Sequence, residues 1–355
     1  MAYAGITKPS LHFNTKLYTG NGTTDNPQTG VGFKPDWLWL KRRDGSANHF
    51  AADVVRGTYA DGYKLLVPND TDAQADYTYV KSLDSDGFTL GSTNANVNGN
   101  SNTYVGWSWL AGGSQGSSNT DGSTNTLYTS VNTTAGLSIS TYTGTGSAAT
   151  IGHGLGAAPE VVIIKCTTAS ENWVMYNKNL GAGKYIFPNT TAVVGPSSGT
   201  NTSYFNNTAP TSSVFSVGND GGTNNSGGGY VAYCFKEKKG YSKFGTYTGN
   251  GASDGAFVYT GFKPGLIIVK CTDTTSNWVI EDSKRIGYNE ANYHLYPNLT
   301  NQEGTNYFID QLSNGFKIRG SANDTNGSNG AYIYMAFAAE PLVANVGQSI
   351  PATAR

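Results

Sequence analysis

Three runs of four apolar residues, each followed by a lysine, dominate the hydrophobic pattern of this chain. They read WLWL at 37–40, VVII at 161–164 and LIIV at 266–269, before Lys41, Lys165 and Lys270. Each run is short, rich in β-branched or aromatic residues and bounded by Pro and Gly, which predicts strands buried on both faces. Stretches that begin at Phe88, Phe215 and Phe316 alternate apolar and polar residues and predict half-buried strands.

Helical patterns are weak in comparison. No stretch combines a sustained helical period with capping residues, and segments 48–56 and 71–76 are the best short candidates. The pattern therefore predicts an all-β protein.

The apolar runs belong to one unit that the chain contains three times. Each copy opens with an aromatic-Thr-Gly turn, passes through Gly and Pro into the run, and ends with aromatic residues or Met. The opening turns begin at Tyr18, Tyr142 and Tyr247, and the copies cover about 15–112, 137–238 and 241–341. Such self-similarity indicates tandem modules. Short strands with frequent turns predict β-sandwich-like modules of a jelly-roll or lectin-like kind.

Three segments lie outside the copies. Residues 1–14 and 342–355 are predicted terminal arms, and 113–136, rich in Gly, Ser, Asn and Thr, is predicted to be a flexible linker or a long surface loop. The second and third copies are almost contiguous and are expected to pack closely. Three copies in one chain also raise the hypothesis of a pseudo-threefold disc.

Charge and composition exclude some classes of function. Lys plus Arg number 23 and Asp plus Glu 24, for a net charge of −1, so the chain lacks the electrostatic signature of a protein that binds duplex DNA or an anionic membrane. No segment has the composition of a secretory signal or the length of a membrane span. Only 13% of the residues are charged, and a weakly charged surface rich in Gly, Asn, Thr and Tyr is typical of secreted or particle-borne β proteins.

The three cysteines, Cys166, Cys234 and Cys271, are odd in number and widely spaced, which excludes a disulfide framework. They are predicted to be small, half-buried strand residues in a protein that assembles in a reducing cytoplasm.

Short motifs that resemble catalytic or metal-binding patterns lack the required context. A GxGxxA match at 144–149 is not followed by a helix, a GxSxG match at 195–199 lies in a polar loop, and the DSDG sequence at 84–87 lacks a later acidic calcium ligand. All three are predicted turns. The four histidines show no ligand spacing, so no catalytic residue, metal or cofactor is predicted.

An Asp followed three residues later by an Arg recurs in copies one and three. The pairs are Asp53 with Arg56 and Asp282 with Arg285, and the second copy has Asn177 and Leu180 instead. Single carboxylates in separate modules do not form a glycosidase pair. The interpretation is an Asp–Arg bond that braces a loop.

Aromatic residues that lie in loops, outside the repeated positions, are the best candidates for surface contacts. Tyr and Trp supply rigid contact area with a polar group, which suits binding to sugars or proteins. The candidates are Tyr59, Tyr77, Tyr79, Tyr204, Tyr288, Tyr293 and Tyr307.

Several blocks of sequence carry a resemblance to a known family. They include ITKPSLHFNTKLYTGNG near the N-terminus, SLDSDGFTLG at 82–91, GHGLGAAPE, GYSKFGTYTGNG, LSNGFKIR and YIYMAFAAEP. Over essentially its whole length the chain resembles repeat-containing structural proteins of marine and cyanobacterial tailed bacteriophages, described as virion structural, tail-fibre-like or of unassigned function. The resemblance implies a particle component and supplies no catalytic residues. Unlike long tail fibres, the chain shows no coiled-coil shaft before the first copy, which leaves a short appendage or a head decoration open.

The sequence therefore predicts a non-enzymatic virion structural protein, a tail-associated fibre or appendage involved in host-surface recognition. The alternative is a capsid decoration protein that stabilises the coat lattice, and a glycan depolymerase ranks third. Expected partners are other tail or capsid proteins, a host-surface glycan or outer-membrane protein, and further copies in a homotrimer. Neither nucleic acid nor membrane insertion is expected. The expected location is the virion, after assembly in the host bacterial cytoplasm.

Overall fold

Antiparallel β-strands build almost all of the regular structure. The computed structural model describes residues 5–59, 61–285, 293–305 and 309–342. Within these ranges it contains twenty-four strands, one four-residue helix, α1 (Gly221–Asn224), and one 3-10 turn (Pro9–Leu11). The all-β prediction is confirmed. None of the helical structure in the described residues is long and apolar enough to cross a membrane.

The two segments with the best helical pattern are not helical. Residues 50–53 form a fully buried strand, and residues 75–76 form a short strand in the same sheet. The first is buried on both faces and so lacks the amphipathic pattern of a surface helix. Neither of the two weak helical candidates, 48–56 and 71–76, is therefore a helix.

The first ten strands form two sheets that share a core. They are β1 (Phe13–Thr19), β2 (Asn26–Thr29), β3 (Trp37–Arg42), β4 (Phe50–Asp53), β5 (Thr58–Tyr59), β6 (Gly62–Leu66), β7 (Ala75–Asp76), β8 (Val80–Asp84), β9 (Gly87–Leu90) and β10 (Thr103–Trp109). The large sheet runs β1-β10-β3-β4-β6-β5, with β7 beside β6, and the small sheet runs β2-β9-β8.

The second part of the chain repeats this plan. Its strands are β11 (Tyr128–Asn132), β12 (Leu137–Thr143), β13 (Ala149–Gly152), β14 (Val161–Cys166), β15 (Val174–Asn177), β16 (Val214–Val217) and β17 (Gly229–Phe235). The large sheet runs β11-β12-β17-β14-β15, and the small sheet pairs β13 with β16.

The third part follows the same plan again. Its strands are β18 (Ser242–Thr248), β19 (Phe257–Tyr259), β20 (Phe262–Cys271), β21 (Trp278–Asp282), β22 (Ile309–Leu312), β23 (Gly315–Ile318) and β24 (Ala331–Pro341). The large sheet runs β18-β24-β20-β21, and the small sheet runs β19-β23-β22.

A common register relates the three parts. In each, the strand that leads into the opening turn (β1, β12 or β18) pairs with the last strand, and a stacked tyrosine pair marks the equivalent position. The pairs are Tyr18 with Tyr104, Tyr142 with Tyr230 and Tyr247 with Tyr332, with ring centroids 5.0, 5.2 and 4.7 Å apart. These pairs allow residues of the three parts to be matched one to one.

The apolar runs are buried on both faces because the large sheets face two cores. Leu38 and Leu40 point into the core between the sheets of the first part, whereas Trp37 and Trp39, on the opposite face of β3, enter a core common to all three parts. In this common core the Trp37 ring lies 4.7 Å from that of Tyr233 in the second part. The modules are therefore not strung end to end.

The lysine that ends each run makes an equivalent contact with a neighbouring part. Lys41 Nζ donates to Thr300 O (3.1 Å), Lys165 Nζ to Thr71 O (3.0 Å) and Lys270 Nζ to Thr191 O (3.4 Å). The first part thus contacts the third, the second contacts the first, and the third contacts the second. This closed cycle makes the molecule a pseudo-threefold ring.

An Asn lies at the same position in each part, at Asn48, Asn172 and Asn277, and the residue after it also contacts a neighbouring part of the ring. Trp173 Nε1 donates to Val67 O and Trp278 Nε1 donates to Phe187 O, both at 3.1 Å. His49 replaces the tryptophan in the first part, and its Nε2 lies 3.0 Å from Tyr296 O. His49 is therefore a polar contact between parts of the ring.

Much of the Gly/Ser/Asn/Thr-rich segment between the first two copies is an ordered surface loop. Ser117 and Thr124 form bridges with β11 and β13, at Thr129 and Ile151. A Cβ atom at Gly122 would lie 2.3 Å from Thr150 O, so only glycine permits this close approach. Residues 117–127 thus form a surface loop, one of the two alternatives for this segment. Residues 128–132 form β11, a strand that the prediction of a linker or loop missed.

The N-terminal segment packs against the third part. The amide of Gly5 donates to Lys239 O (3.2 Å), and the Ile6 side chain belongs to the common core. The first strand begins at Phe13, two residues before the predicted start of the first copy. Most of the predicted C-terminal arm lies outside the described residues.

The buried lysines predict a pH-dependent stability. Burial lowers the pKa of Lys41 to about 7 and that of Lys165 and Lys270 to about 8, whereas an unfolded lysine titrates near 10.4. Between these values the unfolded chain binds more protons than the folded chain, so each lysine makes stability rise with pH. For Lys41 the rise from pH 7 to 9 is about 2 kcal/mol.

Replacing Lys41 by Met should remove the part of this pH dependence that Lys41 contributes. The unsubstituted chain should gain more stability between pH 7 and 9 than Lys41→Met does. The free energy of unfolding of the variant, relative to the unsubstituted chain, should therefore fall over this range in denaturant titrations. Lys8→Met, at an exposed position, serves as the control and should show no such change. A constant difference for Lys41→Met would contradict a neutral buried lysine.

Candidate functional site

The motifs that resemble catalytic patterns serve as turns. At 144–149, the Thr145 amide donates to the buried Asn224 side chain (2.8 Å). The Asp86 carboxylate accepts from the amides of Gly30 (2.9 Å) and Gly32 (2.6 Å), so it closes a turn. The part of the chain that the structure describes contains no group of three metal-ligating side chains.

The Asp–Arg pairs brace the chain as predicted, and they also join the parts of the ring. Arg56 and Arg285 donate from Nε to Asp53 and Asp282 at 2.5 and 2.7 Å, with all four side chains buried. The same carboxylates accept hydrogen bonds from neighbouring parts, from Tyr233 OH (2.6 Å) and Trp107 Nε1 (3.0 Å) respectively. The pairs are structural and have no open face for a substrate.

The aromatic residues chosen from sequence do not form one surface. Tyr79 is 9% exposed, so the surface prediction is wrong for it, and it stacks on half-buried Tyr77 at 4.8 Å. Tyr204 is half-buried against Tyr185, with ring centroids 4.4 Å apart. The phenol oxygen of half-buried Tyr59 is enclosed. Of the described candidates only Tyr293, at 36%, is exposed. Tyr288 and Tyr307 lie outside the described residues.

A different aromatic pair is far more exposed. Phe257 and Tyr259 in β19 are 47% and 52% exposed, and Val258 between them is buried. Strand alternation explains this, because Val258 faces the core of the third part and its two neighbours face outward. Two adjacent exposed aromatic side chains on one strand form a continuous contact surface.

This pair lines a groove between β18 and β19, termed here the β18–β19 groove. The groove has two lobes, of about 460 and 530 Å³, which share Glu237, Lys243 and Tyr259. The second part of the ring contributes Glu160 and Lys178 to one lobe. The site therefore exists only because the second and third parts pack together.

Charged groups give the groove its polarity. Lys243 Nζ lies 5.7 Å from the centroid of the Tyr259 ring, within the range of a cation–π contact. Glu160 accepts from Lys236 Nζ (2.5 Å) and from the Glu237 amide (2.8 Å). Glu237 accepts from the Phe244 amide (2.5 Å), and burial raises the pKa of its carboxyl.

Only the third part of the ring carries these residues. The equivalent residues in the other two parts can be identified from the strand pairing. The tyrosine pairs align β18 with β1 and β12, and the registers of β2, β13 and β19 align these three strands with one another. Lys243, Gly245, Phe257 and Tyr259 correspond to Asn14, Lys16, Pro27 and Thr29 in the first part and to Ser138, Ser140, Thr150 and Gly152 in the second. The framework does not require aromatic side chains at these positions, so they are special to this groove.

The edge beside the groove is also open. The amides of Ile318 and Thr260 donate to Ala256 O and Asn314 O, so the backbone groups of Phe257 and Tyr259 point away from β23. The equivalent edge carries Pro27 in the first part and is paired with Thr124 in the second. Proteins usually protect such edges, and within the described residues β19 is left accessible.

Sequence reasoning missed Phe257 and Tyr259 because it looked for aromatics in loops. A strand-by-strand comparison of the repeats would have shown that aromatic residues replace small or polar ones there. Lys178 gave no such signal, because the fold alone brings it to the groove.

Comparisons with known proteins place the chain in a family without assigning a function. No curated protein matches the sequence. The model of the family described as a domain of unknown function, DUF7483, matches residues 8–341 and so covers all three parts of the ring as one unit. The common core explains why the three repeats form one unit. The chain belongs to the DUF7483 family.

Proposed function

We propose that this protein is a structural component of a bacteriophage particle, a tail-associated appendage that contacts the host surface through the β18–β19 groove. The observation that carries the proposal is this open aromatic groove, present in one part only of an otherwise regular ring. Exposed aromatics beside a few placed polar groups are typical of ligand sites. The sequence resemblance to phage structural proteins supports a role in the phage particle, and a host glycan is the ligand that suits the groove.

The proposal is for binding without catalysis. Glu160 and Glu237 both line the groove, but each carboxylate accepts hydrogen bonds from the fold itself. A glycosidase needs one carboxyl group free to protonate the leaving oxygen and a second free to attack or to activate water. Release of reducing ends from a bound glycan, abolished in Glu237→Gln, would replace this proposal with a depolymerase.

A capsid decoration protein is the second candidate, favoured by the pseudo-threefold ring. The closed cycle of lysine contacts would let one chain occupy a threefold position of a coat lattice. Gold labelling of intact virions with an antibody against the chain separates the two. Label around the tail supports the appendage, and label over the head would reject it. The homotrimer stays a prediction, which a native mass measurement tests.

The groove predicts a specific loss of binding. Replacing Phe257 and Tyr259 together by Ala should weaken binding to host cells at least tenfold, because central aromatic side chains contribute about 2 kcal/mol or more in binding sites. Pull-down of the full chain on host cells measures it. Tyr128→Ala, at another exposed aromatic, is the matched control and should bind normally. Unchanged binding by the double variant would exclude the groove.

A further inference from the structure

The charges of the β18–β19 groove differ from those of the whole chain. The chain has a net charge of −1, yet the two lobes are lined by four lysines and two glutamates. The lysines are Lys178, Lys236, Lys239 and Lys243. The groove is therefore a local positive region.

Both glutamates are already engaged. Glu160 is buried and held by Lys236 and by the Glu237 amide, with Lys178 Nζ at 4.0 Å. Glu237 is held by the Phe244 amide. Both carboxylates keep their negative charge: Lys236 and Lys178 share Glu160, and Glu237 lies within Coulombic range of Lys243. Four lysines against two glutamates still leave the groove an excess of two positive charges, and the Lys178 side chain is 66% exposed.

The position of Lys243 ties this charge to the aromatic surface. Its ammonium group lies beside the Tyr259 ring, so a sugar ring packed on Tyr259 would hold its substituents next to Lys243. Gly245 lacks the side chain that Lys16 and Ser140 carry at the equivalent strand position, and the phenol of Tyr334 fills that space, 2.7 Å from where a Cβ atom would lie. Lysine at position 243 replaces Asn14 and Ser138 of the other parts, so the framework does not require it.

We propose that the β18–β19 groove binds an acidic saccharide, with a sugar face on Phe257 and Tyr259 and its anionic substituents at Lys243 and Lys178. This inference rests on the proposed function and adds the chemical class of the ligand. Carboxylated and sulfated sugars share this chemistry. A neutral glycan would desolvate the excess positive charge of the groove without supplying a counter-charge.

The test compares polymers that differ only in charge. Binding of the full chain is measured by biolayer interferometry to polygalacturonate and its carboxyl-reduced neutral form, and to dextran sulfate and dextran. We expect at least tenfold tighter binding to one or both acidic polymers, weakened by salt. Lys178→Gln/Lys243→Gln should lose this preference, and Lys8→Gln, at an exposed position that does not line the groove, should keep it.

The outcomes separate this inference from the proposed function. Equal binding to acidic and neutral polymers, lost in the Phe257/Tyr259 alanine variant, would overturn the acidic ligand and keep glycan recognition. Equally tight binding of polyglutamate that is insensitive to the alanine variant would overturn a saccharide in favour of nonspecific charge attraction. Absence of binding to all polymers, together with normal host-cell binding by the alanine variant, would overturn both.

Discussion

Asp53→Asn is expected to destabilise the protein by about 3–5 kcal/mol, because it leaves a buried arginine without its counter-charge. The Arg56 and Asp53 side chains are 2% and 0% exposed, and their atoms are 2.5 Å apart. Arg56 also donates to Ala51 O, so it cannot turn to solvent without breaking a second hydrogen bond. The single amide oxygen of the variant can accept either from Tyr233 OH or from the backbone amides of Val55 and Arg56, which now use different carboxylate oxygens, so hydrogen bonds are lost together with the charge.

The second repeat supplies a matched control. It has Asn177 and Leu180 at the positions of Asp53 and Arg56, and Leu180 packs against the common core. The double variant Asp53→Asn/Arg56→Leu removes both charges and should recover most of the stability lost in the single variant. Denaturant unfolding of Asp53→Asn, Arg56→Leu and the double variant measures the coupling. A double variant that is less stable than Asp53→Asn would contradict the charge argument.

Trp37→Ala is expected to lower the free energy of unfolding by about 3–5 kcal/mol, the usual loss for a buried tryptophan. The substitution should destabilise all three parts of the ring. The Trp37 ring lies 4.5 Å from Trp109 and 4.7 Å from Tyr233 of the second part. Its indole N–H has no hydrogen-bond partner in the described part of the chain, so the loss measures packing alone. Because the common core includes all three parts, they should unfold in one transition.

Hydrogen exchange provides the measurement for this second prediction. Amides of β24 in the third part should lose protection in Trp37→Ala to the same degree as amides of β3. Tyr128→Ala, which removes an exposed aromatic side chain, should leave both unchanged. Protection that falls in the first part only would show that the repeats unfold independently.

Repetition made the framework readable from the sequence. The apolar runs, the opening turns and the Asp–Arg pairs recur, and each occupies an equivalent place in the structure. Repeated residues are constrained by the same local geometry in each copy, so their pattern reports strands and turns. One repeated feature was missed, the buried amides of Asn98, Asn224 and Asn326, which donate to two loop carbonyls each. Asn is so common in the loops that these three did not stand out.

The aromatic candidates show the limit of sequence reasoning. Tyr79 lacks a repeated counterpart and was expected at the surface, yet it packs on Phe50 at 4.9 Å in the core of the first part. Phe257 lies in a strand and was not considered, yet its side chain is 47% exposed. Whether an aromatic side chain is exposed depends on which strand lies beside it, and the sequence around that side chain does not identify the neighbouring strand.

By itself, the sequence determined the all-β class, the strand-forming runs, the turns in place of catalytic motifs and the ion pairs between residues three apart. These depend on local geometry and on the alternation of side chains along a strand. Only the tertiary structure decided that three sheets share one core, that each lysine reaches the next part of the ring, and that Lys178 meets Lys243 and Tyr259 in one groove. Those arrangements depend on contacts between residues far apart in the chain, whose partners are chosen by packing rather than by local pattern.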